Sequence, residues 1–113
     1  MKYMFLIYRD ESAGSGGEAM AAPYMAYTQA LIGAGVLVGG ERLHPASMAS
    51  TVRVNDGGIK VLDGPYADTK EQLGGFVIIE VPDMASALEW AARYPAGLNG
   101  AVEVRANLTT RHD

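Results

Sequence analysis

The chain has 113 residues, no cysteine and a formal net charge of −4. Its length suits one domain spanning residues 1–113 around a single core, and 49 % apolar against 19 % charged residues disfavours disorder. Without cysteine there is no disulfide framework, zinc ribbon, iron–sulfur cluster or thiol nucleophile, which suits a reducing cytoplasm. The nine Lys and Arg residues are scattered singly, so the basic footprint of a nucleic-acid binder is missing.

The N-terminal apolar run is too short for a signal peptide, and no segment approaches the ~20 apolar residues of a membrane span. Tyr3 to Tyr8 reads as a strand that is apolar on both faces, with Tyr3, Phe5 and Ile7 on one and Met4, Leu6 and Tyr8 on the other. Asp10 to Gly17 reads as a loop. Within and after it, Gly14-Ser15-Gly16-Gly17-Glu18-Ala19 matches the looser dinucleotide-binding pattern. Asp10, Glu11 and Glu18 would repel a pyrophosphate there, and the next strand leads to a hairpin, so that reading is set aside.

A helix is predicted over Met20 to Ala34, with Pro23 in its first turn and Met20, Tyr24, Tyr27 and Leu31 on one stripe. Val36 to Leu43 reads as a second strand, where Gly39-Gly40 signals a bulge or a close backbone approach. Ser50 to Val54 and Ile59 to Leu62 form a hairpin around Asn55-Asp56-Gly57-Gly58. Asp63-Gly64-Pro65-Tyr66 is a sharp turn. Asp68-Thr69-Lys70-Glu71 then has the look of a small capping box on a short turn that Gly74-Gly75 ends. Phe76 to Val81 is a strand apolar on both faces. Asp83 caps a second helix whose inner face is Met84, Ala87, Leu88 and Ala91. Ala101 to Arg105 is the last strand, with Ala101, Glu103 and Arg105 facing away from Val102 and Val104.

The order βαβ, hairpin, βαβ predicts an α+β, ferredoxin-like fold, an antiparallel sheet with two helices on one face. The second apolar face of the sheet then needs a cover. A homodimer packed sheet to sheet is the simplest one, because two helices cannot wrap both faces.

Two distant histidines, His44 and His112, make a poor transition-metal site. Asp63, Asp68 and Glu71 have the chemistry to hold Mg²⁺, but carboxylates in a turn and a cap explain themselves, so neither metal nor cofactor is expected. No G-x-S-x-G nucleophile elbow is present. Polar residues gather instead at Glu41, Arg42, His44, Arg53, Asp63, Tyr66, Lys70 and Glu71. Asp63 has two readings: a turn residue capping backbone N–H groups, or a general base with His44 as proton partner. Trp90 and Tyr94 read as helix packing. The expected function is binding of a small anionic molecule. Arg42, Tyr66, Lys70 and Glu71 hold it while Asp63 and His44 transfer a proton without a cofactor, in isomerase- or lyase-like chemistry. The alternative is a non-catalytic ligand-sensing or protein-interaction dimer.

The run Asp63-Gly64-Pro65-Tyr66-Ala67-Asp68-Thr69-Lys70-Glu71-Gln72-Leu73-Gly74-Gly75-Phe76 resembles the DGPF branch of the YCII-related proteins. The likeness continues through Glu41-Arg42-Leu43-His44-Pro45, Ser50-Thr51-Val52-Arg53-Val54, Ala87-Leu88-Glu89-Trp90-Ala91 and Val102-Glu103-Val104-Arg105. It implies a dimeric α/β barrel of two ferredoxin-like sheets, a bacterial source, and in some members a setting near sigma-factor regulation. Relatives carry a histidine in the first helix and an aspartate near the end of the second, proposed as an active-site dyad. Here Tyr24 to Ala34 holds no histidine, and the second position reads Arg93-Tyr94-Pro95, so that dyad does not transfer.

Overall fold

The computed structural model describes residues 1–13, 17–95 and 99–109. Its elements are β1 (Lys2–Asp10), α1 (Gly17–Gly33), β2 (Leu37–Arg42), β3 (Ser50–Asn55), β4 (Gly58–Asp63), β5 (Glu71–Glu80), α2 (Met84–Ala92) and β6 (Gly100–Ala106), with short 3-10 turns at Glu11–Ala13 and Ala46–Met48. β2, β5, β1 and β6 form one antiparallel sheet in that order, while β3 and β4 pair with each other in a second, two-stranded sheet. With two helices crossing between its strands, this is the expected α+β, ferredoxin-like arrangement. Among the described residues no helix is long and apolar enough to cross a membrane.

Alternation decides which face is core. Tyr3, Phe5 and Ile7 of β1 and Val77 and Ile79 of β5 are buried against Tyr27 and Leu31 of α1 and Ala87 of α2. Phe5 and Ala87 have no exposed surface at all, so a small side chain lets α2 lie close on the sheet. Among the described residues the opposite face carries no helix. There Met4, Leu6 and Tyr8 stand beside Phe76 and Ile78, all partly exposed. Glu103 pairs with Leu6, and Arg105 with Met4, on the same side.

Several elements depart from the sequence reading. α1 begins at Gly17, so Pro23 lies inside it rather than in its first turn. The alanine-rich run before Pro23 favours helix, and Pro23 is exposed, where a missing backbone bond is best tolerated. The side chain of Met20, most of the glycine-rich stretch before it, and His112 lie outside the described residues. Glu71 to Gly75 is not a capped turn but the first half of β5, pairing Leu73, Gln72 and Glu71 with Tyr8, Arg9 and Asp10. Strand partners on β1 override the local capping signal, and the extra residue is taken up as a bulge opposite Ile7 and Tyr8. Leu88, expected on the inner face of α2, is 52 % exposed.

Other local expectations match. The Asp83 carboxylate accepts from the Ser86 N–H at 2.8 Å and caps α2. The Gly57 N–H donates to Asn55 Oδ1 at 2.8 Å in the hairpin turn, and Gly58 has a φ of 114°. Gly39-Gly40 combines both predicted features: the β2–β5 register shifts between Leu37 and Gly39, and a Cβ on Gly40 would lie 2.6 Å from the Phe76 carbonyl oxygen.

Candidate functional site

Tyr8 and Leu73 are cross-strand partners on the helix-free face, and they border a cleft of about 780 Å³ at one end of the sheet. The opposite walls come from the segment after β2, the base of the hairpin and the turn after β4. They place His44, Thr51 and Tyr66, with Glu71 and Gln72 from the start of β5, around an apolar lining that includes Leu43, Met48 and Pro65. An apolar pocket with a few convergent polar groups is the usual form of a small-molecule site.

Each wall is fixed by local bonds. The Leu43 N–H donates to the Gly74 carbonyl at 2.9 Å, continuing β2 by one residue to the threshold of His44. The next turn is pinned by Glu11, whose carboxylate accepts from the Ala46 N–H at 3.0 and 3.3 Å. On the far side, Gly64 ties the turn after β4 to β3. Its N–H donates to the Ala49 carbonyl at 2.7 Å, and its own carbonyl accepts from the Thr51 hydroxyl at 2.8 Å. Its φ of 103° is one that residues with a Cβ rarely adopt. Tyr66 then projects with 75 % of its surface exposed, and the Arg53 guanidinium lies 5.2 Å from its ring centre.

The six residues singled out by sequence do not all meet. His44, Tyr66 and Glu71 line the cleft. Lys70 borders an adjoining hollow of about 550 Å³ that shares Tyr8, Thr69 and Glu71 with it. The Lys70 ammonium lies 3.6 Å from an Asp10 carboxylate oxygen. Asp10 itself is held below the usual carboxylate range, chiefly by the Ser12 hydroxyl that donates to it at 2.6 Å. Asp63 is exposed at the end of β4, opposite Ser50, and is not part of the cleft wall. Among the described residues its carboxylate caps no backbone N–H; the turn is held by the Gly64 peptide instead. Arg42 sits on the other side of the sheet, its guanidinium 5.0 Å from the ring centre of Tyr24. Asp63, Asp68 and Glu71 form no metal-holding group, and no other such group of three occurs among the described residues.

Sequence reasoning missed Tyr8 and Thr51, which look like ordinary strand residues until the walls are assembled, and Gln72, which fell in the expected capped turn. Trp90 and Tyr94, read from sequence as helix packing ahead of ligand stacking, do pack. Trp90 lies against the core, and the Tyr27 hydroxyl donates to its carbonyl at 2.7 Å. Tyr94 additionally meets Tyr27 and Tyr24 edge to face, with ring centres 5.2 and 6.4 Å apart. Burial pushes its hydroxyl up to about 12, with Tyr24 adding to the rise and Arg42 and Arg9 opposing it. Tyr27 is raised further still, again by burial first.

The family description "YCII-related domain" matches residues 1–108. An uncharacterized protein of Rhizobium meliloti (strain 1021) is 38 % identical over 96 residues, covering 80 % of this chain and 77 % of that protein.

Proposed function

The chain belongs to the YCII-related domain family, and we propose that it binds a small molecule in the cleft between Tyr8, His44 and Tyr66. Within the family we place it in the DGPF branch, on the run from Asp63 to Phe76. The observation that carries the binding reading is the cleft itself: apolar in the main, with an imidazole, two phenols and a carboxylate brought to it by four separate segments. Imidazole is the side chain suited to exchanging a proton near neutral pH. Cofactor-free proton transfer therefore centres on His44, with Glu71 as its acid–base partner across the cleft and Lys70 at the margin to attract a negative charge. Asp63 acts in this reading through the turn it opens. We place this work in the cytoplasm.

A thermal-shift screen of small carboxylic acids, phenols and lactones tests the reading on wild type, His44→Ala, Tyr66→Ala and Asp63→Ala. A ligand at ~100 times its Kd stabilises a fold by about 2.7 kcal/mol, which moves the midpoint by many degrees in a small domain. The expected result is a shift in wild type that is lost in the His44 and Tyr66 variants and kept in Asp63→Ala. No shift with any compound would favour the second reading.

That second reading is a non-catalytic protein-interaction dimer, and a separate observation favours it. Val52 and Val54 of β3 face Val61 and Ile59 of β4 across the hairpin, and all four side chains are more than half exposed. The chain is also flat, 46 × 38 × 18 Å, with a radius of gyration of 15.7 Å. A compact chain of this length has a radius of gyration of about 13 Å. Two uncovered apolar surfaces, the hairpin face and the helix-free sheet face, are what a second copy would bury. The dimer is compatible with either function.

A further inference from the structure

Arg42, Tyr24 and Tyr94 form a cluster of hydrogen-bond donors on the helix side of the sheet, away from the cleft. Three elements bring them together: the end of β2, the middle of α1 and the residues just beyond α2. The chain carries more acids than bases, thirteen Asp and Glu against nine Lys and Arg. Even so, Arg42 makes no ion pair with a carboxylate among the described residues; its contact is the Tyr24 ring, 5.0 Å away. A guanidinium only donates, in a planar fork that matches a carboxylate. The Tyr27 hydroxyl is satisfied by the Trp90 carbonyl, whereas those of Tyr24 and Tyr94 have no hydrogen-bond partner among the described residues.

A hollow opens beyond Tyr94, at the opposite edge of the sheet from Arg42. Tyr94 lines this space, of about 470 Å³, together with Leu88, Ala91, Val102 and Val104. Leu88 borders this hollow instead of the core. Donors without acceptors beside the Tyr24 and Tyr94 rings match an anion with an apolar body.

We infer that the Arg42–Tyr24–Tyr94 cluster is a second ligand site, one that takes a small carboxylate carrying an aromatic or aliphatic group. The carboxylate lies on the Arg42 guanidinium and accepts from the phenol hydroxyls. Its apolar part lies against the Tyr24 and Tyr94 rings. The site is independent of the cleft on the other face and stands whether or not that cleft binds anything.

Benzoate is the probe, and the emission of Trp90, the single tryptophan, is the signal. Wild type is expected to give a saturable change at millimolar benzoate and none with benzyl alcohol, which keeps the ring without the charge. Arg42→Gln is expected to raise the apparent Kd about tenfold or more, as losing a charge-assisted bond does, while Arg42→Lys retains part of the affinity. Tyr94→Phe keeps the ring packing and removes only the hydroxyl, so it decides the matter if Arg42→Gln fails to fold; it too is expected to bind benzoate more weakly. The inference is overturned if wild type shows no saturable change, if benzyl alcohol binds as well as benzoate, or if folded Arg42→Gln and Tyr94→Phe bind like wild type.

Discussion

Replacing Gly64 with alanine isolates what orients the hairpin over the cleft. A Cβ at this position would meet no atom within 4 Å, so the substitution adds no clash and its whole effect comes from a φ of 103°. Holding a non-glycine residue in such a region costs about 1–3 kcal/mol. In a domain near 100 residues, each kcal/mol moves the melting midpoint by roughly 4–8 °C, so Gly64→Ala should melt at least ~4 °C below wild type by circular dichroism. Thr51→Val removes the 2.8 Å bond to the Gly64 carbonyl and should cost about 1 kcal/mol. Because both changes loosen the same turn, the double variant should lose less than the sum. If Gly64→Ala melts with wild type, the Gly64 peptide does not lock the turn, and the placing of Tyr66 needs another cause.

Gly40→Ala should be more damaging than its exposed edge-strand position suggests. Its Cβ would stand 2.6 Å from the Phe76 carbonyl oxygen and 3.1 Å from Val77 Cα, backbone atoms that cannot swing aside; overpacking of this kind costs about 1–3 kcal/mol, read as a lower urea midpoint. Asp83→Ala should lower the melting temperature at neutral pH. The Asp83 carboxyl is held below its ordinary value, chiefly by the Ser86 N–H it accepts from, so its contribution is present above the unfolded-state pKa and disappears as pH falls through the folded one. The gap between wild type and Asp83→Ala should therefore close on acidification, measured as melting temperature against pH. For the proposed dimer, Val54→Lys with Ile59→Lys places two charges on the hairpin face, where both residues are 74 % exposed in the single chain. Light scattering should show a smaller particle for the variant if that face is an interface, and no change if it faces water.

Much of the fold was legible because it rests on alternation and on turn chemistry. β1 and β5 follow from short runs apolar on both faces, β6 follows from alternation, and Asp83 announces α2 through a cap that needs only local sequence. The failures share a cause in strand register. Counting alternately along β2 from Leu37, which faces the core with Ile79, would put Arg42 on the helix-free side. The bulge before Gly39 shifts the count by one: Gly40 pairs with Val77 and Arg42 with Gly75, on the helix side. Arg42 therefore leaves the expected cleft and joins Tyr24. Gly74 plays the matching part in β5, and a segment resembling a helix cap becomes a strand because β1 offers it a partner. Of the residues expected to bind or react, His44, Tyr66 and Glu71 were recognisable since each adjoins a turn that the sequence marks. Asp63 drew attention as the head of its motif, yet the bonds at that turn belong to the peptide of its glycine neighbour.

The central claim is that the cleft beneath the hairpin is a ligand site, and amide chemical-shift mapping tests it most directly. A compound that raises the melting temperature should shift the amide signals of Tyr8, His44, Thr51, Tyr66 and Leu73 together, along one saturation curve. Shifts confined to other surfaces, with these five unmoved, would contradict the account and leave the cleft as a seam between copies of the chain.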